Sequence, residues 1–170
     1  MKKLFLAILF GAVSLCGAAE YRIEANAMNQ SDDSEWKDHC AGTLGHMLYA
    51  AKKGSLTGTY QIPEAGSYAV WVYTQTNNEN WRKVQVKING MSFGKFGDEK
   101  VKDFVKPRLH WKKAMLPLKV DANAVIKVEV IGNPSSRIDC IVLSSNPEFN
   151  PSTMDVAAVV DATEELESAE

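Results

Sequence analysis

Ser67-Tyr68-Ala69-Val70-Trp71-Val72-Tyr73-Thr74 and, further on, Val84-Gln85-Val86-Lys87-Ile88-Asn89-Gly90 decide how this chain folds. In the second stretch Val84, Val86 and Ile88 alternate with Gln85 and Lys87. A period of two puts successive side chains on opposite faces, so this strand has one buried face and one wet face. In the first stretch Tyr68, Val70, Val72 and Thr74 lie opposite Ala69, Trp71 and Tyr73. Trp71, mid-strand among apolar neighbours, is expected in the core. Asn89-Gly90 supplies the positive backbone angles of a tight hairpin leading into Met91 to Phe96.

The same grammar extends in both directions. Strand-like runs read Tyr21 to Ala25, Leu56 to Ile62, Ser67 to Thr76, Lys83 to Ile88, Met91 to Phe96, Ala114 to Val120, Ala124 to Ile131 and Ile138 to Ser144. Between them stand the turn signals Pro63-Glu64-Ala65-Gly66, Asn89-Gly90, Asp121-Ala122-Asn123 and Gly132-Asn133-Pro134. Amphipathic helical periodicity is scarce. About eight strands in roughly 130 residues predict an all-β fold, an antiparallel β-sandwich of the jelly-roll kind. Met28 to Gly54 reads as a loop-rich excursion with a short helical turn. The end, with Glu164-Glu165-Leu166-Glu167-Ser168-Ala169-Glu170, reads as an acidic flexible tail. The domain is therefore expected over residues 20–151 and the tail over 152–170.

With 170 residues, 45% of them hydrophobic and 24% charged, the chain has the material for one globular core. Met1 to Ala19 has Lys2 and Lys3, an apolar run from Leu4 to Leu15, and Gly17-Ala18-Ala19. That is the layout of a secretory signal, its apolar part too short to span a bilayer. Cleavage after Ala19 leaves Glu20 first and sends the domain outside the cell or into the periplasm. Lipid attachment at Cys16 is the rival reading; Leu15 stands where a small residue normally precedes such a cysteine, which favours soluble export. Without the signal the cysteines are Cys40 and Cys140, which admit either a disulfide or two buried free thiols. Losing Lys2 and Lys3 from a formal net charge of −2 leaves a mildly acidic domain. Lys52-Lys53 and Lys112-Lys113 are isolated pairs, so the chain lacks the basic patch that nucleic acid requires.

Catalytic constellations are missing from the sequence. There is no Gly-x-Ser-x-Gly elbow, phosphate loop, His-Glu-x-x-His or Cys-x-x-Cys. His39, His46 and His110, with the cysteines, show no recurrent zinc spacing. The chain reads as a binding protein and not as an enzyme. Among the tryptophans, Trp81 follows the polar run Thr76-Asn77-Asn78-Glu79-Asn80, Trp36 sits among acids and serines, and Trp111 ends Pro107-Arg108-Leu109-His110-Trp111 as it enters a strand. An aromatic plane beside amides suits sugars, whose apolar face packs on a ring while the hydroxyls bond to Asn and Gln. Alternatively, each ring plugs an end of the sandwich.

Three stretches carry a family likeness: Tyr21-Arg22-Ile23-Glu24-Ala25-Asn26, Ile62-Pro63-Glu64-Ala65-Gly66-Ser67-Tyr68-Ala69-Val70-Trp71-Val72, and Arg137-Ile138-Asp139-Cys140-Ile141-Val142-Leu143. Together they resemble the galactose-binding-like jelly-roll domains, particularly carbohydrate-binding modules of families six and thirty-five. Those share an early Ile-Glu-Ala-Glu strand, a Pro-x-x-Gly-x-Tyr hairpin and a closing Asp-x-Ile-x-Leu strand. The resemblance implies a structural calcium held by Glu24, Asn26 and Asp139, with Asn26 standing where the pattern has a second Glu. Hydrogen bonds that close the sandwich are the other use for those three residues. It further implies a sugar site on loops at one end, with Trp81, Trp111 and Asn133 nearest the pattern and Trp36 and Arg137 beside them. The expected function is a secreted, non-catalytic module for a poly- or oligosaccharide. The competing expectation is a cell-envelope structural or protein-interaction domain that uses the same fold with its aromatics buried.

Overall fold

Short β runs joined by tight turns pair antiparallel, and every pairing among the described residues is of that kind. The computed structural model describes residues 18–39, 47–76, 83–97 and 108–151. The strands are β1 (Glu20–Glu24), β2 (Asn29–Gln30), β3 (Trp36–His39), β4 (Met47–Ala50), β5 (Gly54–Ile62), β6 (Gly66–Thr76), β7 (Val84–Ile88), β8 (Met91–Phe96), β9 (Arg108–Lys113), β10 (Leu118–Val120), β11 (Ala124–Gly132) and β12 (Arg137–Ser144), with a 3-10 turn at Ala25–Ala27. A seven-stranded sheet runs β10-β6-β12-β4-β3, with β1 also on β12 and β9 also on β6. A five-stranded sheet runs β2-β5-β11-β7-β8. The two pack face to face as a jelly-roll sandwich.

The inner faces follow the alternation. Tyr68, Val70 and Val72 from β6 meet Val84, Val86 and Ile88 from β7 and Ile126, Val128 and Val130 from β11, all at or below 1% exposure. Each such side chain contributes about 1.5–3 kcal/mol by leaving water, which is what holds the sheets together. The turns behave as their residues dictate. Asn89 and Gly90 take φ of 51° and 80°. The Asn89 Oδ1 accepts from the Lys127 N–H at 2.8 Å, tying the hairpin to β11. In the Pro63 to Gly66 turn the Tyr68 hydroxyl donates back to the Glu64 carbonyl at 2.9 Å. That bond explains why a buried tyrosine follows this turn.

The structure revises several expectations. The described residues hold twelve strands, not eight. Much of the excess lies in Met28 to Gly54, read as loop-rich, where β2, β3 and β4 form; the helical turn comes before it, at Ala25–Ala27. Pieces of two to four residues are too short to show a period. The run Ala114 to Val120 is strand only from Leu118, and Arg108–Lys113, left outside the predicted runs, is β9. Trp71 is only half-buried and lies on the outer face of the seven-stranded sheet, one residue out of phase with Val70 and Val72. Residues 1–17 and 152–170, the bulk of the expected signal and the tail, lie outside the described residues. Sheet pairing starts just before Glu20: the Ala19 carbonyl accepts from the Ser145 N–H at 2.9 Å, and the Ala19 N–H donates to Ser145 Oγ at 2.8 Å. No helix among the described residues is long and apolar enough to cross a membrane.

Candidate functional site

Directly paired residues share a face, so the register assigns the outer side of the seven-stranded sheet. Tyr73 of β6 is paired with Trp111 of β9 on one side and Cys140 of β12 on the other. Trp71 is paired likewise with Lys113 and Val142. The result is an aromatic patch on a surface that alternation alone would leave to water. Tyr73 and Trp111 stack with centroids 4.7 Å apart and planes 29° apart. Among the described strands β9 is paired to β6 alone, so Trp111 stands on the outermost described strand of this side of the sheet. Both rings are half-buried. Tyr73 thus backs Trp111 and holds it in one orientation, which lowers the entropy lost when a flat ligand packs on it.

Polar groups border the patch. At the top of β6 the Arg137 Nη1 donates to Gln75 Oε1. On its far side Lys113 Nζ sits 5.5 Å from the Trp71 ring centre, and Phe149 meets that ring edge-on at 6.2 Å. The segment after β12 therefore folds back over Trp71 and covers it, leaving Trp111 as the aromatic plane at the edge. Cys140 lies under Tyr73, wholly buried. Burial pushes its thiol far above the usual range, outweighing the nearby Arg22 guanidinium, so it stays neutral and unreactive.

The sequence-derived site residues meet different fates. Trp111 and Arg137 lie on this face. Asn133 is half-buried in the turn joining β11 to β12, at the same end of the sheet as Arg137, where its N–H donates to Ser136 Oγ at 3.0 Å. Trp81 and Cys40 lie outside the described residues, and Cys140 is a free thiol. Trp36 is corrected: at 4% exposure it belongs to the core. Its backbone is locked by the Gln30 side chain, which accepts from the Trp36 N–H at 2.9 Å and donates to its carbonyl at 3.0 Å. Its ring fills the space beside Gly132, where a Cβ would lie 2.6 Å from the indole edge. The acids around it merely face outward, Glu35 pairing with Lys37 and Lys52. Tyr73 and Gln75 were not singled out from the sequence. The available signal was the doubly apolar alternation of β6, which marks a strand covered on both sides.

The residues that the resemblance assigns to calcium lie around the start of β12, with Glu24 paired to Cys140, the neighbour of Asp139. Asn26 is exposed in the 3-10 turn, Glu24 is half-buried with its carboxylate on the Arg22 guanidinium, and Asp139 is buried at the β-bulge between Ile138 and Cys140. Among the described residues no group of three or more His, Cys, Asp and Glu is placed to hold a metal ion.

No family model matches the chain, and no curated protein matches it. Solved structures do. The GH26-CBM35 β-(1,4)-mannanase of Podospora anserina superposes with a TM-score of 0.55 at 12% identity, over 78% of this chain and 29% of that one. A Bacillus thuringiensis Cry1Da tryptic core variant gives 0.53 at 16%, over 74% and 23%. The C-terminal CBM6 of a marine laminarinase from Zobellia galactanivorans gives 0.50 at 13%, over 74% of this chain and 98% of that one. This chain thus spans less than a third of the mannanase and toxin chains and nearly the whole of an isolated module. At these identities the likeness establishes fold: the protein has the jelly-roll sandwich found in carbohydrate-binding modules.

Proposed function

We propose that the protein is a secreted, non-catalytic module that holds a poly- or oligosaccharide against Trp111. The observation that carries this reading is the half-exposed Trp111 ring, stacked on Tyr73 at a sheet edge with Arg137 and Gln75 beside it. A pyranose offers an apolar face to such a ring and hydroxyls to a guanidinium and an amide, and the fold it shares with known sugar-binding modules supports the same use. Asn133 stands at the same end of the sheet and completes the polar rim. The reading needs no metal.

Titration against a glycan panel, followed by tryptophan fluorescence, tests it. A saturable change with at least one glycan is expected, and Trp111→Ala is expected to weaken that binding about tenfold or more. Tyr73→Ala should lose less, because it removes only the backing ring. The absence of any glycan response, with Trp111 protected from a soluble quencher, would favour the protein-interaction alternative.

A further inference from the structure

The edge of the aromatic sheet breaks out at one place. The Ala114 N–H still donates to the Val70 carbonyl at 2.8 Å, and pairing resumes with Leu118 opposite Tyr68. Between those rows a flat strand needs one residue opposite Ala69 and the chain supplies three, Met115, Leu116 and Pro117. They are pushed out of the sheet. Met115 is 98% exposed and Leu116 57% exposed. Two large apolar side chains side by side in water contribute nothing to the core, which makes the tip a surface in want of a partner.

Its surroundings say which. Lys113 and Lys119 flank the tip and are exposed, and no acid occurs anywhere from Arg108 to Val120. Register also sets its place in the molecule. Ala69 pairs with Ser144 and Ser144 with Glu20, so the tip lies in the same cross-sheet row as the first residue of β1. Ala19 follows one row on, against Ser145. Across the tip, a cleft of about 290 Å³ separates it from Ser144 to Pro147. A protein interface needs a broad complementary patch. A narrow apolar tip with a basic collar matches a lipid surface instead.

We propose that the Met115-Leu116 tip contacts an anionic bilayer, the two apolar side chains entering the headgroup boundary while Lys113 and Lys119 meet the headgroups. Two inserted side chains and a few lysines make a weak, reversible contact. Such a contact would orient the domain on the membrane and leave Trp111, higher on the same sheet edge, facing away. The inference is independent of the sugar reading.

Flotation with vesicles of phosphatidylcholine, alone or with phosphatidylglycerol, tests it on the protein recovered after export, with its N-terminus read by mass spectrometry. Each variant is compared with the parent of identical N-terminus. Binding to the phosphatidylglycerol vesicles is expected to weaken with salt. The double variant M115S/L116S should lower it about tenfold or more, and Lys119→Gln about fivefold at low salt. Val125→Ser, which removes an apolar side chain about as exposed as Leu116 from the other sheet, should change nothing. Glycan affinity should survive all three. The proposal is overturned if the parent does not float, if M115S/L116S floats as well as the parent, or if that variant instead abolishes a dimer seen by sedimentation.

Discussion

On the five-stranded sheet the side chains turned away from the core include Thr57, Thr59, Gln61, Gln85, Lys87, Lys127 and Glu129, with Val125 and Ile131 among them; on the seven-stranded sheet Ala69, Trp71, Tyr73, Trp111, Cys140 and Val142 form the middle, with Arg22, Glu24, Gln75 and Lys113 around them. The first set is an ordinary solvated surface, with Lys87 paired to Glu129 at 3.2 Å and the Gln85 amide donating to Ser92 Oγ at 3.1 Å. The second is apolar and aromatic through its middle, where Cys140 and Val142 are as buried as the core. Both sheets bury one face equally well, so the difference owes nothing to the needs of the sandwich. It marks the seven-stranded sheet as the one with something to cover, through Phe149 over Trp71, and something to offer, through Trp111.

Alkali probes what the sheets share. Burial raises the hydroxyls of Tyr60, on the five-stranded sheet, and Tyr68, on the seven-stranded one, to about 12 from the ordinary 10. A group whose folded pKa is raised favours folding while it stays protonated. Its contribution is therefore whole below pH 10 and lost as the pH climbs from there to about 12. Ultraviolet titration should show these two ionising only together with cooperative unfolding; early ionisation of either would mean an open inner face.

Substitution probes what the sheets do not share. Val142→Lys, nominally on an outer face, should destabilise the protein by about 3 kcal/mol or more in urea unfolding, because it buries a cation opposite the Arg22 guanidinium. Gln85→Asp on the other outer face should cost less than about 0.5 kcal/mol. Equal costs would erase the contrast between the faces. Trp71→Ala should fall between them, at about 1–2 kcal/mol, since it removes a half-buried ring with its Phe149 and Lys113 contacts. Smallest of all, Lys87→Ala breaks a surface ion pair and should shift stability by no more than about 0.5 kcal/mol, and less in high salt.

These faces also show why some of the molecule could be read in advance. β7 announces its wet face through Gln85 and Lys87, and Asn89-Gly90 its hairpin, because both signals are local. β6 announces only that it is covered on both sides; Trp71 was consequently placed in the core, although its partner on the outer side is Phe149, 78 positions along the chain. Trp36 erred the other way. Its acidic neighbours resemble a loop, whereas β3 is strand because β4 and Gln30 supply its hydrogen bonds. Of the residues expected to bind sugar, Trp111 stacks on Tyr73 and Arg137 bonds to Gln75 two residues further along β6.

Alternation and turn chemistry by themselves determined that this chain is all-β, where its longer strands run and where its tightest turns fall, since those depend on residues a few positions apart. Which outer face is aromatic, that Tyr73 backs Trp111, that Trp36 is core and that Met115 is thrown out into solvent were decided only by tertiary structure. Each depends on register between strands distant in sequence, and register is set by the packing of the whole sandwich.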